Sequence, residues 1–346
     1  MKIDLLFACD ENYALYAGVV LRSVWQTRGN KERFRVWFIS DGISAATQKQ
    51  LKDWFPQMEI TFLSLPDGFM AQVPVQNKYL SRAAYARLAL GSVLPPEVTR
   101  VIYLDCDLLV RRPLGELWTF DLGDKIVAGV EDWGVYLMRK QGMFFFPPGE
   151  AYIGSGLLLV DVQRWREHRC EEKCLAYAAS PAYPLRFEDQ DILNFALRGR
   201  VALLPPQWDV VLHLSKEELR RRNAPEEWVF ARENPFVIHF ATFNKPWLKA
   251  CSLPYAEEFQ AHMRALGLRL QELKFRIKIT KLCAYWRRHP VFFLKPKFWV
   301  KWREKRLGVV FLKKRQEAQN AEALRDVVQC EMRPFCVRFL FPRKIK

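Results

Sequence analysis

Apolar and polar positions follow two alternating patterns through the first 265 residues. Residues 2–9 form an apolar run of strand length, and residues 13–26 then space their apolar side chains as a helix does. Residues 34–40 combine β-branched and aromatic side chains as a second strand. A helix over 43–55 follows, with Ser40 or Asp41 near its start. Residues 58–63 read as a third strand, closed by the turn Pro66-Asp67-Gly68. Helical spacing returns over 82–90, and strands are predicted at 101–104, 126–130, 157–160 and 237–240. Strands alternating with helices imply an α/β layer with a mainly parallel sheet, whose ligand crevice lies at the carboxyl ends of the strands. From about Leu268 the alternation gives way to short amphipathic pieces.

One strand carries charge where its pattern calls for apolar residues. In Val101-Ile-Tyr-Leu-Asp105-Cys106-Asp107-Leu-Leu-Val110 two carboxylates stand inside an apolar run. In an extended chain residues i and i+2 point the same way, so both carboxylates converge while Cys106 faces away into packing. Burying such a pair unpaired costs several kcal/mol per ion, roughly. A divalent cation compensates that cost, and oxygen ligation suits a hard metal, Mn²⁺ or Mg²⁺. Strand-end carboxylates facing water are the simpler alternative.

The chain has 346 residues and a net charge of +16, and the charge is unevenly placed. Residues 271–346 hold 21 Lys and Arg against 6 Asp and Glu, together with 12 aromatic residues, whereas residues 1–270 carry a net charge of only +1. A basic, aromatic segment suits an anionic interface, either lipid headgroups or nucleic acid. The near-neutral remainder argues against a nucleic-acid groove, and no nucleic-acid partner is expected. No apolar run reaches the length of a membrane-spanning helix, and MKIDLLFACDENY reads as a first strand rather than a leader. The 8 cysteines show no metal-site spacing, and Cys170 and Cys174, one helical turn apart, read as packed thiols. The expected location is therefore cytoplasmic, on the inner face of the cell membrane.

Six strings carry a resemblance: FACDENY at 7–13, YARL at 85–88, YLDCDLLV at 103–110, GSGLLLVDVQRWR at 154–166, EDQDILN at 188–194 and HFATFNKPW at 239–247. In this order they resemble family 8 of the retaining glycosyltransferases, in particular bacterial lipopolysaccharide and lipooligosaccharide galactosyl- and glucosyltransferases. The resemblance covers residues 1–265 and implies the GT-A type of nucleotide-sugar transferase fold, a UDP-hexose donor and a Mn²⁺ site. It implies Asp105, Asp107 and His239 as metal ligands, and Asp10, Asn12, Arg87, Asp105, Cys106 and Lys245 as donor-binding residues. Asp10 and Asn12 would meet uracil and ribose, although a turn or helix cap would use the same residues. Lys245 would reach the diphosphate. Asp132, Asp189 and Gln190 would form the catalytic sugar site, with the Gln190 amide near the anomeric carbon, although helix capping alone accounts for some of the acids at 188–191.

Two departures stand out. The family commonly has Asn-Ala-Gly where this chain reads Gly154-Ser155-Gly156, which bears on the choice of donor sugar. It usually has Gly-Pro where this chain has Thr242-Phe243. The remaining histidines, 168, 213, 262 and 289, have no partner pattern. The expected chain is a catalytic domain over 1–267, followed by a membrane-associating region over 268–346. It would move galactose or glucose from UDP to a glycolipid or oligosaccharide acceptor. The alternatives are another hexosyltransferase of the family, glycogenin-like, and a non-catalytic membrane or nucleic-acid binding protein.

Overall fold

The strand signals resolve into two sheets. The computed structural model describes residues 1–74, 82–212, 215–242 and 244–271, and the basic segment of 272–346, like Phe243 and His213, lies outside the described residues. The strands are β1 (Lys2–Asp10), β2 (Arg33–Asp41), β3 (Glu59–Ser64), β4 (Arg100–Leu104), β5 (Leu108–Val110), β6 (Val127–Gly129), β7 (Leu157–Asp161), β8 (Val201–Leu203), β9 (Val210–Val211) and β10 (Val237–His239). The helices of the first half are α1 (Glu11–Thr27), α2 (Ala45–Trp54), α3 (Leu90–Val93), α4 (Gly115–Trp118) and α5 (Trp133–Lys140). Those that follow are α6 (Val162–Glu167), α7 (Cys170–Ala179), α8 (Asp189–Ala196), α9 (Lys216–Arg221), α10 (Glu226–Glu233) and α11 (Ala256–Ala265). Residues 1–248 and 253–271 form one compact unit.

The larger sheet has the order β3-β2-β1-β4-β7-β6-β8, and its strands run parallel except β7, which is antiparallel to β4 and β6. Both faces are covered, which is why β1 reads as a near-continuous apolar run, broken within the strand only by Asp4, which accepts from the Arg35 and Trp37 side chains. Leu5, Phe7, Val36 and Phe38 pack beneath α1 and α2 through Ala17, Leu21 and Leu51. Leu6, Ala8, Trp37 and Ile39 face the opposite layer with Trp165, Cys174 and Ile192. Cys170 and Cys174 are thus packed thiols of that second core.

Of the smaller sheet, β5-β10-β9, the sequence signals β10 within the strand expected at 237–240, whereas β5 and β9, three and two residues long, are not marked as separate strands. Two other expectations need correction. Helical residues 82–89 form a 3₁₀ helix, with only Leu90–Val93 continuing as α. Helix α2 is capped by Ser44, whose side chain accepts from the Thr47 N–H, and neither Ser40 nor Asp41 does this.

Candidate active site

Strands β1, β4 and β6 end on one edge of the large sheet, and the reversed strand β7 begins there. The chain leaves β4 at Leu104 and passes through Asp105, Cys106 and Asp107 into β5 of the smaller sheet. A turn between sheets therefore brings the two carboxylates together, in place of the i, i+2 alternation expected of an extended strand. Backbone bonds fix both ends of the turn. The Asp105 N–H donates to Gly156 O at 2.8 Å, and the Phe240 N–H donates to Asp107 O at 3.0 Å. β10 pairs antiparallel with β5, setting His239 opposite Leu108 and delivering its ring to the turn.

His239 Nε2 stands 3.3 Å from Asp107 Oδ1 and 3.8 Å from Asp105 Oδ2. The three ligand atoms lie within 4.8 Å of one another. Asp107 Oδ1 is buried without a hydrogen-bond donor, an arrangement that is costly unless a cation takes it up. Two carboxylate oxygens and one imidazole nitrogen fit a divalent metal of the Mn²⁺ type. On the other side of the ring, Nδ1 meets Asp209 Oδ1 at 2.9 Å. Asp209 was not singled out in the sequence, although a lone carboxylate in the apolar run Trp208-Asp209-Val210-Val211 is the same signal that marks Asp105 and Asp107.

The charges at the cluster shift one another. Burial raises the Asp105 carboxyl against the opposing pull of Arg87. Burial would raise Asp107 as well, but the Lys245 ammonium and the His239 ring bring it below the usual carboxylate range. For His239, burial lowers the pKa, and the carboxylates of Asp209 and Asp107 more than reverse this, leaving it well above the ordinary imidazole value. Lys245 Nζ pairs with Asp107 and donates to Phe240 O at 2.9 Å. Two residues on, Trp247 stacks on Tyr16 of α1 with ring centroids 3.9 Å apart.

A second cluster adjoins the first. Arg87 is buried and joins the two, with Nη2 on Asp105 Oδ1 at 2.9 Å, Nε 3.2 Å from Asp189 Oδ2, and Nη1 on Ser155 O. The Tyr103 hydroxyl donates to the same Asp105 oxygen at 2.7 Å. Gln190 is held at both ends of its amide: Nε2 donates to Asp132 Oδ2 at 2.9 Å, and Oε1 accepts from the Ser155 N–H at 3.1 Å. Asp132 also caps α5 through Oδ1. Ser155 Oγ donates to Asp189 Oδ2 at 3.1 Å. Burial, reinforced by the nearby Asp105 charge, pushes Asp189 up to about 6 despite Arg87.

The rest of the EDQDILN string is scaffolding. Asp191 Oδ2 accepts from the N–H groups of Arg186 and Phe187, at 2.6 and 2.7 Å. Asn194 clasps both backbone groups of Ile153 at 2.8 Å, fixing the 153–155 segment to α8. Glu188, at φ +53° and buried, accepts from the Tyr85 hydroxyl at 3.1 Å. That strained backbone aims Asp189 and Gln190 inward from the first turn of α8.

Asp105, Cys106, Asp107, His239, Lys245, Arg87, Asp132, Asp189 and Gln190 all line one cavity of about 940 Å³. The Cys106 thiol is engaged by Cys9 within the core, which raises its pKa and matches its packing role. Asp10 caps α1, accepting from the N–H groups of Asn12 and Tyr13 through Oδ1. Asn12 lines a neighbouring hollow with Tyr16 and Trp247, and that hollow shares Tyr13 and Lys245 with the main cavity.

The sequence profile described as glycosyl transferase family 8 matches residues 4–251. The chain belongs to this family. It is 28% identical over 273 residues to general stress protein A of Bacillus subtilis (strain 168), a match spanning 75% of this chain and 93% of that protein. It is 25% identical over 266 residues to a lipopolysaccharide 1,2-glucosyltransferase of Escherichia coli (strain K12), covering 75% of this chain and 76% of the relative. Among solved structures it is similar to the galactosyltransferase LgtC in complex with donor and acceptor sugar analogues. There the TM-score is 0.65 and the identity 26%, over 82% of this chain and 99% of LgtC. The GT-A type architecture is thus shared. As a family 8 glycosyltransferase, the chain uses a nucleotide-sugar donor, and its Asp105, Asp107 and His239 can hold a divalent metal.

Proposed function

We propose that this glycosyltransferase transfers galactose or glucose, with retention, from a UDP-sugar to a lipopolysaccharide or lipooligosaccharide core acceptor. The observation that carries this reading is the union, in one cavity, of a metal-capable cluster with the Gln190–Asp132–Ser155–Asp189 network. The glucosyl- and galactosyltransferase relatives support hexose as the transferred group. Asp105, Asp107 and His239 would hold Mn²⁺, with Mg²⁺ the alternative, and a cation bound there neutralises diphosphate charge as UDP leaves. Lys245 adds an ammonium on the same side. Arg87 keeps the acidic groups of the metal cluster and the sugar cluster apart in charge and together in space. The bond from the anomeric carbon to the diphosphate breaks, the bond to the acceptor oxygen forms, and the hydroxyl proton passes to a diphosphate oxygen. Gln190, with its amide held at both ends, faces the sugar. It is a weak nucleophile, so attack on the face that UDP leaves is as compatible with retention as a covalent intermediate.

The reading extends to a catalytic domain over residues 1–267 and a region over 268–346 that holds the enzyme on the inner face of the membrane. The charge and aromatic content of 271–346 support it. Among the described residues no helix is long and apolar enough to cross a membrane. The test is calorimetric titration of UDP with and without Mn²⁺, on the wild-type enzyme and Asp105→Asn, followed by a panel of UDP-glucose, UDP-galactose and UDP-N-acetylhexosamines. UDP should bind tightly only with metal and only to the wild type, and one of the two hexoses should be transferred. UDP binding by the wild type that is as tight in chelator as with Mn²⁺ would refute the metal-dependent reading.

A further inference from the structure

We propose that Asp209 is a positioning residue for the metal centre, fixing the tautomer and aim of the His239 ring so that Nε2 is presented to the cation. This rests on the reading of Asp105, Asp107 and His239 as metal ligands. Imidazole can ligate through either nitrogen, and the hydrogen bond made by the other nitrogen decides which one is left with its lone pair. Here Nδ1 lies 2.9 Å from Asp209 Oδ1, while Nε2 faces the two carboxylates of the cluster. A carboxylate can only accept, so Nδ1 must carry the proton and Nε2 is the nitrogen left to ligate.

Three features suit Asp209 to this task. It is 4% exposed, so its bond to the ring is little weakened by water. It stands directly before β9, which pairs parallel with β10 through Ile238–Val210 and His239–Val211, so the carboxylate and the ring arrive on adjacent strands of one sheet. Finally, the ring has no freedom to move away. Gly156 lies so close to it that a Cβ there would overlap the imidazole, and His239 is itself buried. The ring is thus held by a wall on one side and by Asp209 at Nδ1.

The experiment titrates Mn²⁺ in the presence of UDP, following free Mn²⁺ by electron paramagnetic resonance, with the wild-type enzyme, Asp209→Ala, Asp209→Asn and Asp105→Asn. The alanine variant frees the ring to place its proton on Nε2, and its Mn²⁺ affinity should fall about 10- to 100-fold. The asparagine variant keeps an oxygen able to accept from Nδ1–H and should stay within a few-fold of the wild type. Metal-free melting should show both variants still folded at the titration temperature. If the alanine variant melts too low to titrate, Asp209→Val, which fills more of the space and offers no hydrogen-bond acceptor, replaces it. Wild-type affinity in the alanine or valine variant would overturn the proposal, as would equal losses in the asparagine and alanine variants. If the wild type and Asp105→Asn bind Mn²⁺ equally, the metal reading itself falls and this proposal falls with it.

Discussion

At the scale of single residues, the site is a set of acids and bases whose charges are settled mutually. Asp105 is raised by burial, and His239 is raised by Asp209 and Asp107 once their pull exceeds the effect of burial. Ligation takes an ionised carboxylate and an imidazole nitrogen free of its proton, so protons compete with the cation. A raised pKa means this competition persists to higher pH. Metal affinity should therefore increase from about pH 6 to pH 8, where an unperturbed imidazole would already be neutral over most of the range. Calorimetry of Mn²⁺ binding in buffers of different ionisation enthalpy, near neutral pH, should register release of about one proton per metal bound. A flat affinity with no proton release would show that His239 enters the reaction neutral. The residues carrying this chemistry were partly legible in the sequence, because charge inside an apolar run is conspicuous. Asp105 and Asp107 announce themselves in that way. Asp209 carries the same signal singly, and a single carboxylate gains its meaning only from the histidine that folding brings beside it, 30 positions along the chain.

At the scale of elements, the long strands and helices could be read because each buries enough apolar surface to impose its period on the sequence. β1, β2 and α1 are of this kind, and the structure extends them by only a few residues. Of the short elements that build the metal centre only β10 could be read, inside the apolar run 237–240. β5 and β9 have three residues or fewer, too short to display a period, and the pairing of all three strands is non-local. The Asp105–Asp107 turn looked like strand because its neighbours are strand, yet it is the crossing point from one sheet to the other. The close approach of β7 to β10 at this crossing explains Gly156 better than any turn requirement does. Its Asp105 hydrogen bond and the neighbouring imidazole leave no room for a methyl group. Gly156→Ala should destabilise the protein by about 1–3 kcal/mol as an overpacked site and displace the His239 ring. Thermal melting together with Mn²⁺ titration checks both effects. The reference is the wild-type enzyme, and wild-type melting together with wild-type Mn²⁺ affinity in Gly156→Ala would remove the steric argument for Gly156.

At the scale of the whole molecule, the family match ends at residue 251, and the strongest concentration of charge lies beyond it. A near-neutral catalytic body has little electrostatic reason to stay at an anionic surface, whereas residues 271–346 combine 21 basic side chains with 12 aromatic ones. Each Lys or Arg engaged at an anionic bilayer contributes about 1 kcal/mol, so five engaged residues would supply about 5 kcal/mol before ordering costs are subtracted. Rings such as Trp299 and Trp302 add apolar area that electrostatics alone does not provide. The acceptor proposed here is lipid-linked, so holding the enzyme at the bilayer raises the local acceptor concentration without any change at the active site. A chain ending after residue 271 should therefore lose sedimentation with vesicles containing anionic lipid, keep transfer to a soluble oligosaccharide, and lose rate only with acceptor presented on vesicles. Binding of the full-length chain should weaken as salt is raised, because the charge contribution is screened while the aromatic one is not. Equal vesicle binding by the full-length and shortened chains at physiological salt would refute membrane docking by this segment. Loss of transfer to the soluble acceptor would instead assign residues 272–346 a part in catalysis.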